Sequence, residues 1–163
     1  MVREPGAPFE FEELQIDEPL DDEVLVRIVA AGICHTDIGS QSRLPMPVVL
    51  GHEGAGIVER VGRPVTKVSE GDSVVLSFGF CGVCPSCREG APFRCDDMGL
   101  LQFGCQRADG QATIVSDQGP IYGAFFQQSS FATHALATER NTITVDSNLE
   151  LHELAPLACG IQT

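Results

Sequence analysis

Residues 32–37 of the chain read Gly-Ile-Cys-His-Thr-Asp, and residues 51–54 read Gly-His-Glu-Gly. Together the two blocks carry one thiol, two imidazoles, one hydroxyl and two carboxylates. Each block follows an apolar segment, so we expect its polar side chains to project from the end of a strand. Thiols and imidazoles are the donors that zinc prefers. The two blocks therefore raise the hypothesis of a metal site, around which the rest of the chain can be interpreted.

The segment before the first block alternates in polarity and predicts a strand over Glu23–Ala31. Its residues Val24, Val26, Ile28 and Ala30 share one face, and Leu25 and Val29 lie partly on the other. Further strands are predicted over Gly54–Val61, Ser73–Phe78 and Thr142–Val145. Turns recur about every ~10 residues between short strands, which favours a mainly β fold such as a small barrel or sandwich.

Two other segments have weaker signals. Residues 99–122 are predicted to be irregular, with turns at Asp109–Gly110 and Gly119–Pro120. Ser147 and Glu150 fit a capping box, which predicts a helix through Leu151 and Leu154. No glycine-rich fingerprint follows a strand and opens a helix, so we expect no dinucleotide-binding Rossmann domain in this chain.

Composition bounds the class of protein. The chain has 163 residues, of which 43% are hydrophobic and 20% are charged, as in a globular domain. No apolar run approaches the ~18 residues that span a bilayer, and residues 1–5 lack the pattern of a signal peptide. We therefore expect a cytoplasmic protein.

The formal net charge is −13, from 23 acidic and 10 basic side chains. Such a surface repels phosphate backbones and anionic lipids. We therefore expect neither nucleic acid nor a membrane as a partner.

The seven cysteines include a cluster at Cys81, Cys84, Cys87 and Cys95. This segment, about residues 80–97, is rich in Cys, Gly and Pro and has little apolar surface to bury. Four thiolates can close a tetrahedral site around zinc, and the energy of metal binding would then hold the lobe in shape. An iron–sulfur cluster fits less well, because seven residues precede Cys95 and no proline follows it. A nucleic-acid-binding zinc ribbon is opposed by the net charge.

Cys34, His52 and Cys159 form a second candidate set. Each lies within two residues of a glycine, and one imidazole with two thiolates would leave the fourth position of a tetrahedral zinc open, as catalytic sites do. Eighteen residues separate Cys34 from His52, which is a weak signal by itself, and either residue could belong to an ordinary core.

Three blocks resemble the zinc-dependent alcohol dehydrogenases of the medium-chain superfamily. They are Gly32–Asp37, Leu50–Gly56 and the lobe Cys81–Cys95, whose order and spacing both match. Residues Phe126–Thr133 and Pro156–Thr163 are more narrowly similar to the aryl or benzyl alcohol dehydrogenase branch. The resemblance implies a GroES-like β-barrel catalytic domain over residues 1–163, with a loop-rich structural zinc lobe and short helices.

The resemblance also implies roles for individual residues. Cys34, His52 and Cys159 match the ligands of a catalytic zinc. Glu53 matches a carboxylate beside the metal, and Asp37 matches the residue that orients the ring of His52.

Two further residues match positions around the reacting groups. Thr36 matches the hydroxyl that binds the substrate oxygen and begins a proton relay, and His35 matches a contact to the cofactor pyrophosphate. Some relatives carry a relay histidine where this chain has Gly39, so the relay could end in water. Phe78, Phe80, Phe125 and Phe126 are candidates for a substrate pocket, although each reads first as core. Cys105 is expected to be a passive buried thiol, and His134 and His152 to be surface or packing residues.

The implied activity is oxidation of a primary, aryl or benzyl, alcohol to the aldehyde with NAD or NADP, using two zinc ions per chain. The family's Rossmann domain would lie outside this chain, which by itself is expected to be inactive. The full-length enzyme is expected to be a homo-oligomer. The alternative is a non-enzymatic zinc-binding GroES-like module. Zinc-free quinone reductases of the same superfamily are disfavoured by the cysteine cluster.

Overall fold

The computed structural model describes residues 1–161, and the chain in this range is mostly β with a few short helices. The strands are β1 Gln15–Ile16, β2 Glu23–Ala31, β3 Gly54–Val61, β4 Ser73–Leu76, β5 Ile114–Ser116, β6 Gly119–Ile121, β7 His134–Thr138 and β8 Thr142–Thr144. The helices are α1 His35–Ser40, α2 Pro85–Arg88, α3 Met98–Phe103 and α4 Leu151–Leu154, with 3₁₀ turns at Pro92–Arg94, Phe125–Gln127 and Ala155–Ala158. No helix in this range is both long and apolar enough to cross a bilayer.

Five strands form one antiparallel sheet in the order β7-β2-β3-β4-β8, and β1, β5 and β6 form a second, smaller sheet. The register between β2 and β3 shifts between Leu25 and Val26 and again between Ile28 and Ala30. Such bulges bend the strand and increase its twist, which helps the sheet to curl into a half-barrel. The predicted strands over Glu23–Ala31 and Gly54–Val61 are confirmed.

The inner face of the curled sheet is packed with small β-branched side chains. Val24 and Val26 of β2 and Val74 of β4 are fully buried there. A different cluster joins the end of the chain to the sheet, where Ala155 and Ala158 pack against β3 and β4. This second cluster fixes the position of the turn that carries Cys159.

Three local predictions are wrong. Residues 98–103 form α3, and residues 114–121 form the hairpin of β5 and β6 rather than irregular chain. The hairpin turn lies at residues 117–118, because Gly119 and Pro120 already belong to β6. The capping box at Ser147 is absent, since α4 begins only at Leu151 and has no side-chain cap.

Candidate functional site

A single buried carboxylate connects the two sequence blocks. Cys34 is the N-cap of α1, and its backbone N–H donates to Oδ2 of Asp37 at 3.0 Å. Oδ1 of Asp37 accepts from the backbone N–H of Gly51 at 3.0 Å and lies 2.9 Å from Nδ1 of His52. Asp37 and His52 are both 0% exposed. Asp37 therefore holds residues from both blocks in one fixed arrangement.

The contact with Asp37 also determines which nitrogen of His52 is available to a ligand. Since the carboxylate accepts at Nδ1, the proton sits on Nδ1 and the lone pair of the neutral ring sits on Nε2. Nε2 is buried and makes no hydrogen bond of standard geometry within residues 1–161. Burial alone would lower the pKa of His52, but the hydrogen bond and charge of Asp37 outweigh it, so the pKa is raised.

Glycines leave the space that this arrangement needs. A Cβ on Gly32 would lie 1.9 Å from Oε2 of Glu53, so only glycine lets the carboxylate approach. Gly51 has φ of +94°, and a Cβ there would lie 2.4 Å from the backbone nitrogen of Phe131. The glycines around the two blocks thus have a steric function.

Cys159 comes to the same place from the far end of the chain. Its sulfur lies 3.9 Å from that of Cys34, although 125 residues separate the two. The next residue, Gly160, donates its backbone N–H to Oε1 of Glu53 at 2.9 Å. Ligand atoms of Cys34, His52, Glu53 and Cys159 all lie within 4.8 Å of one another.

The two thiols of this cluster differ in acidity. Burial would raise the pKa of Cys34, but hydrogen bonds led by the backbone N–H of Thr36 bring it below its usual value. Burial and the neighbouring Cys34 raise the pKa of Cys159 to about 11. In the absence of a cation, Cys34 therefore loses its proton at a lower pH than Cys159 does.

Two aromatic rings pack against the imidazole of His52. Phe126 stacks on the imidazole with centroids 4.5 Å apart and planes at 27°, and Phe125 meets it edge-on at 5.6 Å. Phe103 and Phe78 contact Phe126 at 5.4 and 6.5 Å. Of the four pocket candidates, Phe78, Phe125 and Phe126 belong to this aromatic group, and Phe125 is fully buried. Phe80 instead lines a cavity beside the cysteine lobe.

The cysteine lobe forms a second cluster of donors. Ligand atoms of Cys81, Cys84, Cys87 and Cys95 lie within 4.8 Å of one another, and the sulfurs of Cys81 and Cys87 are 4.0 Å apart. Backbone N–H groups donate to the sulfurs of Cys95, Cys81 and Cys84. Cys81 donates to Cys95 at 3.3 Å, Cys84 donates to Cys81 at 3.4 Å and Asp96 donates to Cys84 at 3.5 Å. None of residues 81–94 is buried, so this lobe has no apolar core of its own.

Both clusters fit zinc by their donor chemistry and spacing. A tetrahedral ion with Zn–S bonds of ~2.3 Å needs sulfurs about 3.8 Å apart. The measured S···S distances of 3.9 and 4.0 Å are close to that value. The unpaired Nε2 of His52 supplies a third donor in the mixed cluster, which also keeps a position open. The four-thiolate cluster has no open position and suits a structural ion.

Other predicted residues lie around the mixed cluster. His35 and Thr36 line a cavity of about 470 Å³ together with Arg43 and Phe103. Cys105 is fully buried, as expected, and burial raises its pKa to about 12.

Two histidines lie away from the cluster. Nε2 of His134 is 3.2 Å from Glu59 on a half-exposed face of the sheet, and His152 is exposed near Glu150.

Comparison with known proteins agrees with this arrangement. Residues 20–146 match the family model described as the alcohol dehydrogenase GroES-like domain. The chain therefore belongs to the alcohol dehydrogenase GroES-like family. A curated relative, geraniol dehydrogenase of Castellaniella defragrans, is 46% identical over 100% of this chain and 44% of its own length.

Solved structures give the same result. An alcohol dehydrogenase zinc-binding domain protein from Burkholderia ambifaria is 49% identical with a TM-score of 0.96, over 99% of this chain and 45% of that one. Benzyl alcohol dehydrogenase from Acinetobacter calcoaceticus is 43% identical with a TM-score of 0.92, over 99% of this chain and 44% of that one. The chain thus spans less than half the length of the relatives that it matches.

The sequence did not point to one residue that contacts the site segment closely. Gln128 is 0% exposed, and its side chain binds backbone groups of both His52 and Gly54. Gln128 lies within the polar run 127–130, so no local pattern distinguishes it, and its partners are 74 to 76 residues away.

Proposed function

We propose that this chain is the catalytic-domain portion of a zinc-dependent alcohol dehydrogenase. It oxidises a primary alcohol, of the aryl or benzyl kind, to the aldehyde by hydride transfer to NAD or NADP. The observation that carries this proposal is the convergence of Cys34, His52, Glu53 and Cys159, with Nε2 of His52 unpaired. None of its cysteines in residues 1–161 is paired in a disulfide, and all but Cys105 are clustered as metal ligands, which agrees with an enzyme of the reducing cytoplasm.

On this proposal, Cys34, His52 and Cys159 hold the catalytic zinc. Glu53 lies beside them as a carboxylate that can exchange with the ligand in the open position. Cys81, Cys84, Cys87 and Cys95 hold the structural zinc. When bound at the mixed site, zinc supplies Lewis-acid chemistry that lowers the pKa of an oxygen placed beside it. Asp37 keeps the proton of His52 on Nδ1, so that Nε2 stays available as a donor.

The remaining residues bind substrate and cofactor or move a proton. Thr36 lines the cavity of about 470 Å³, and its backbone N–H donates to the sulfur of Cys34, so its hydroxyl is placed to take the proton that the alcohol loses. Gly39 lines the same cavity, and having no side chain it leaves water to carry that proton onward. His35 and Arg43 give this cavity a basic side that suits the diphosphate of a dinucleotide.

The relatives and the aromatic group support a particular substrate class. Geraniol and benzyl alcohol, for which two of the relatives are named, are both primary alcohols attached to an sp² carbon. Phe126, Phe103 and Phe78 provide an apolar wall near His52 that suits an unsaturated or aromatic substituent. We therefore propose allylic and benzylic primary alcohols as the substrates.

The metal assignment is tested by elemental analysis of the purified chain. Two zinc ions per chain are expected, falling to one in Cys159→Ser and in His52→Ala. A wild-type chain with one zinc or none would overturn the assignment of the mixed site.

The reaction is tested on the protein produced from the complete reading frame. It should carry a nucleotide-binding Rossmann domain, assemble as a homo-oligomer, and reduce NAD or NADP with benzyl alcohol or geraniol faster than with a secondary alcohol. A protein that holds both metals but oxidises no alcohol would favour the alternative, a non-enzymatic zinc-binding module.

A further inference from the structure

Gln128 forms an unusual set of contacts for a side chain in a barrel core. Its Nε2 donates to the carbonyl of His52 at 2.9 Å and lies 3.2 and 3.4 Å from the carbonyls of Ser77 and Leu76. Its Oε1 accepts from the backbone N–H of Gly54 at 3.0 Å. The side chain is 0% exposed, so none of these bonds has water as a substitute.

These contacts bracket Glu53. The carbonyl of His52 belongs to the peptide group before Glu53, and the N–H of Gly54 belongs to the peptide group after it. One amide side chain therefore fixes both peptide groups of Glu53. The direction in which the carboxylate of Glu53 points, toward the N–H of Gly160, depends on that fixed backbone.

An amide is chemically suited to this position. Gly54 pairs with β2 and Leu76 pairs with β8, but β3 begins at Gly54 and β4 ends at Leu76, so their pairing with each other stops where Gln128 inserts. A primary amide has two N–H donors and a carbonyl acceptor, and it can replace the peptide group that a neighbouring strand would provide. Leaving these buried backbone groups unpaired would be costly.

The loop that carries Gln128 is strained. Phe126, Gln127 and Ser129 have φ of 52°, 56° and 50°, the left-handed region that non-glycine residues avoid. Such a backbone conformation is unfavourable and persists only where the surrounding structure imposes it. Ser129 contributes by accepting from Phe125 at 2.9 Å and donating to the carbonyl of Val49 at 2.6 Å. The strained loop also stacks Phe126 on the ring of His52.

We infer that Gln128 is a positioning residue for the mixed metal site, acting through the backbone of His52 and Glu53 and not through contact with metal or substrate. This inference rests on the proposed zinc assignment. Outer contacts of this kind change metal affinity by about 10–100-fold when removed. Gln128 thus sets how tightly the catalytic ion is held and leaves the cysteine lobe unaffected.

The test compares Gln128→Met, which keeps the length of the side chain but removes its polar groups, with Gln102→Met. Gln102 is a similarly buried amide, 2% exposed, whose Nε2 donates to the carbonyl of Gly79 and to the sulfur of Met98, neither of which belongs to the mixed cluster. Zinc release to a chromogenic chelator is measured for both variants and the wild type. In Gln128→Met one zinc should be released 10–100-fold faster, whereas the second zinc should be released at the wild-type rate.

Cobalt substitution gives a spectroscopic readout, because the visible absorption of Co²⁺ depends on its ligand geometry. The spectrum should change in Gln128→Met and stay unchanged in Gln102→Met. Wild-type release rates and spectrum in a folded Gln128→Met protein would refute the inference. Only one zinc in the wild type would instead refute the zinc assignment on which it rests.

A measurement on the wild-type protein covers the case in which the variant does not fold. The side-chain amide protons of Gln128 should exchange slowly with solvent in the zinc-loaded chain, and faster once the mixed site is emptied by a chelator. Equal exchange rates in the two states would show that Gln128 and the metal are not coupled.

Discussion

Replacing Asp37 with Asn removes the buried charge that joins the two halves of the site while keeping the size of the side chain. In the structure, the carboxylate accepts from Cys34, Gly51 and His52. Hydrogen bonds to a charged group contribute about 1.5–3 kcal/mol each, and neutral ones about 0.5–1.5 kcal/mol. Asn can accept from Gly51 and His52, but its NH₂ group then faces the N–H of Cys34.

The change therefore replaces three charge-assisted bonds by two neutral ones and brings two donors together. The lower cost of burying an uncharged amide offsets part of this loss. We expect Asp37→Asn to lower the free energy of unfolding by about 3 kcal/mol, a large share of the ~5–15 kcal/mol of a typical domain. Because the slope in urea is about 1–3 kcal/mol per molar, the unfolding midpoint should fall by about 1–3 M.

The assay is urea unfolding of the metal-free protein followed by circular dichroism, with zinc release measured separately on the loaded protein. Asp72→Asn is the matched control, since Asp72 accepts one backbone N–H from Ser69 at 2.9 Å in an open turn. This control should change stability by less than about 1 kcal/mol. If Asp37→Asn unfolds at the wild-type urea concentration and keeps its zinc as well as the wild type does, the described role of Asp37 is wrong.

Three other perturbations have defined outcomes. Arg107 is buried and donates to both carboxylate oxygens of Glu23 at 2.8 and 3.0 Å. Arg107→Met should lower the free energy of unfolding by about 3–5 kcal/mol, because it leaves the buried charge of Glu23 without its ion-pair partner. Gly51→Ala should lower the free energy of unfolding by about 2–5 kcal/mol, because the residue has a left-handed backbone and its Cβ would clash with the neighbouring main chain. Gly39→Ala should raise the free energy of unfolding by about 0.5–1 kcal/mol, because Gly39 lies inside α1 with open space around it. Two backbone N–H donors lower the pKa of Glu139. The contribution of Glu139 to stability should therefore be present at neutral pH and be lost as the pH falls through that lowered pKa. Glu139→Gln should remove this part of the acid dependence of stability.

Each of these outcomes has a measurement that can contradict it. Thermal unfolding of Arg107→Met should show a loss that Glu23→Leu in the same chain partly restores, and equal melting temperatures for single and double variants would argue against a buried-charge penalty. A Gly51→Ala protein as stable as Gly39→Ala would contradict the steric argument. For Glu139→Gln, a stability curve parallel to that of the wild type from about pH 3 to about pH 7, on either side of the ~4.3 reference value of Glu, would show that the hydrogen bonds are unimportant.

Regular strands and ligand motifs could be predicted from the sequence because their signals are local. Glu23–Ala31 alternates and ends at a glycine, and the structure places β2 at those bounds. The cysteine spacing of the lobe is likewise a short-range pattern, and the four sulfurs do lie together.

The elements that were missed depend on distant contacts. β5 and β6 have only three residues each, so neither shows a period, and their pairing is supported by packing of Ile114 and Ile121 with Met1 and Val49. The left-handed run at Phe126–Ser129 contains no glycine that would signal it. The importance of Gln128 emerges only when residues more than 70 positions apart are placed side by side.

The two donor clusters differ greatly in how much chain they need. The lobe closes with the 15 residues from Cys81 to Cys95, whereas the mixed cluster joins sulfurs 125 positions apart. During synthesis on the ribosome, the lobe can therefore take up its ion while the rest of the domain is still emerging. The mixed cluster has to wait for Cys159 and for the packing of Ala155 and Ala158 against the sheet. Closing so long a loop is entropically costly, so folding of the barrel has to precede assembly of this site. On the proposed zinc assignment, the structural ion is loaded early in biogenesis, and the ion that supports chemistry is acquired last.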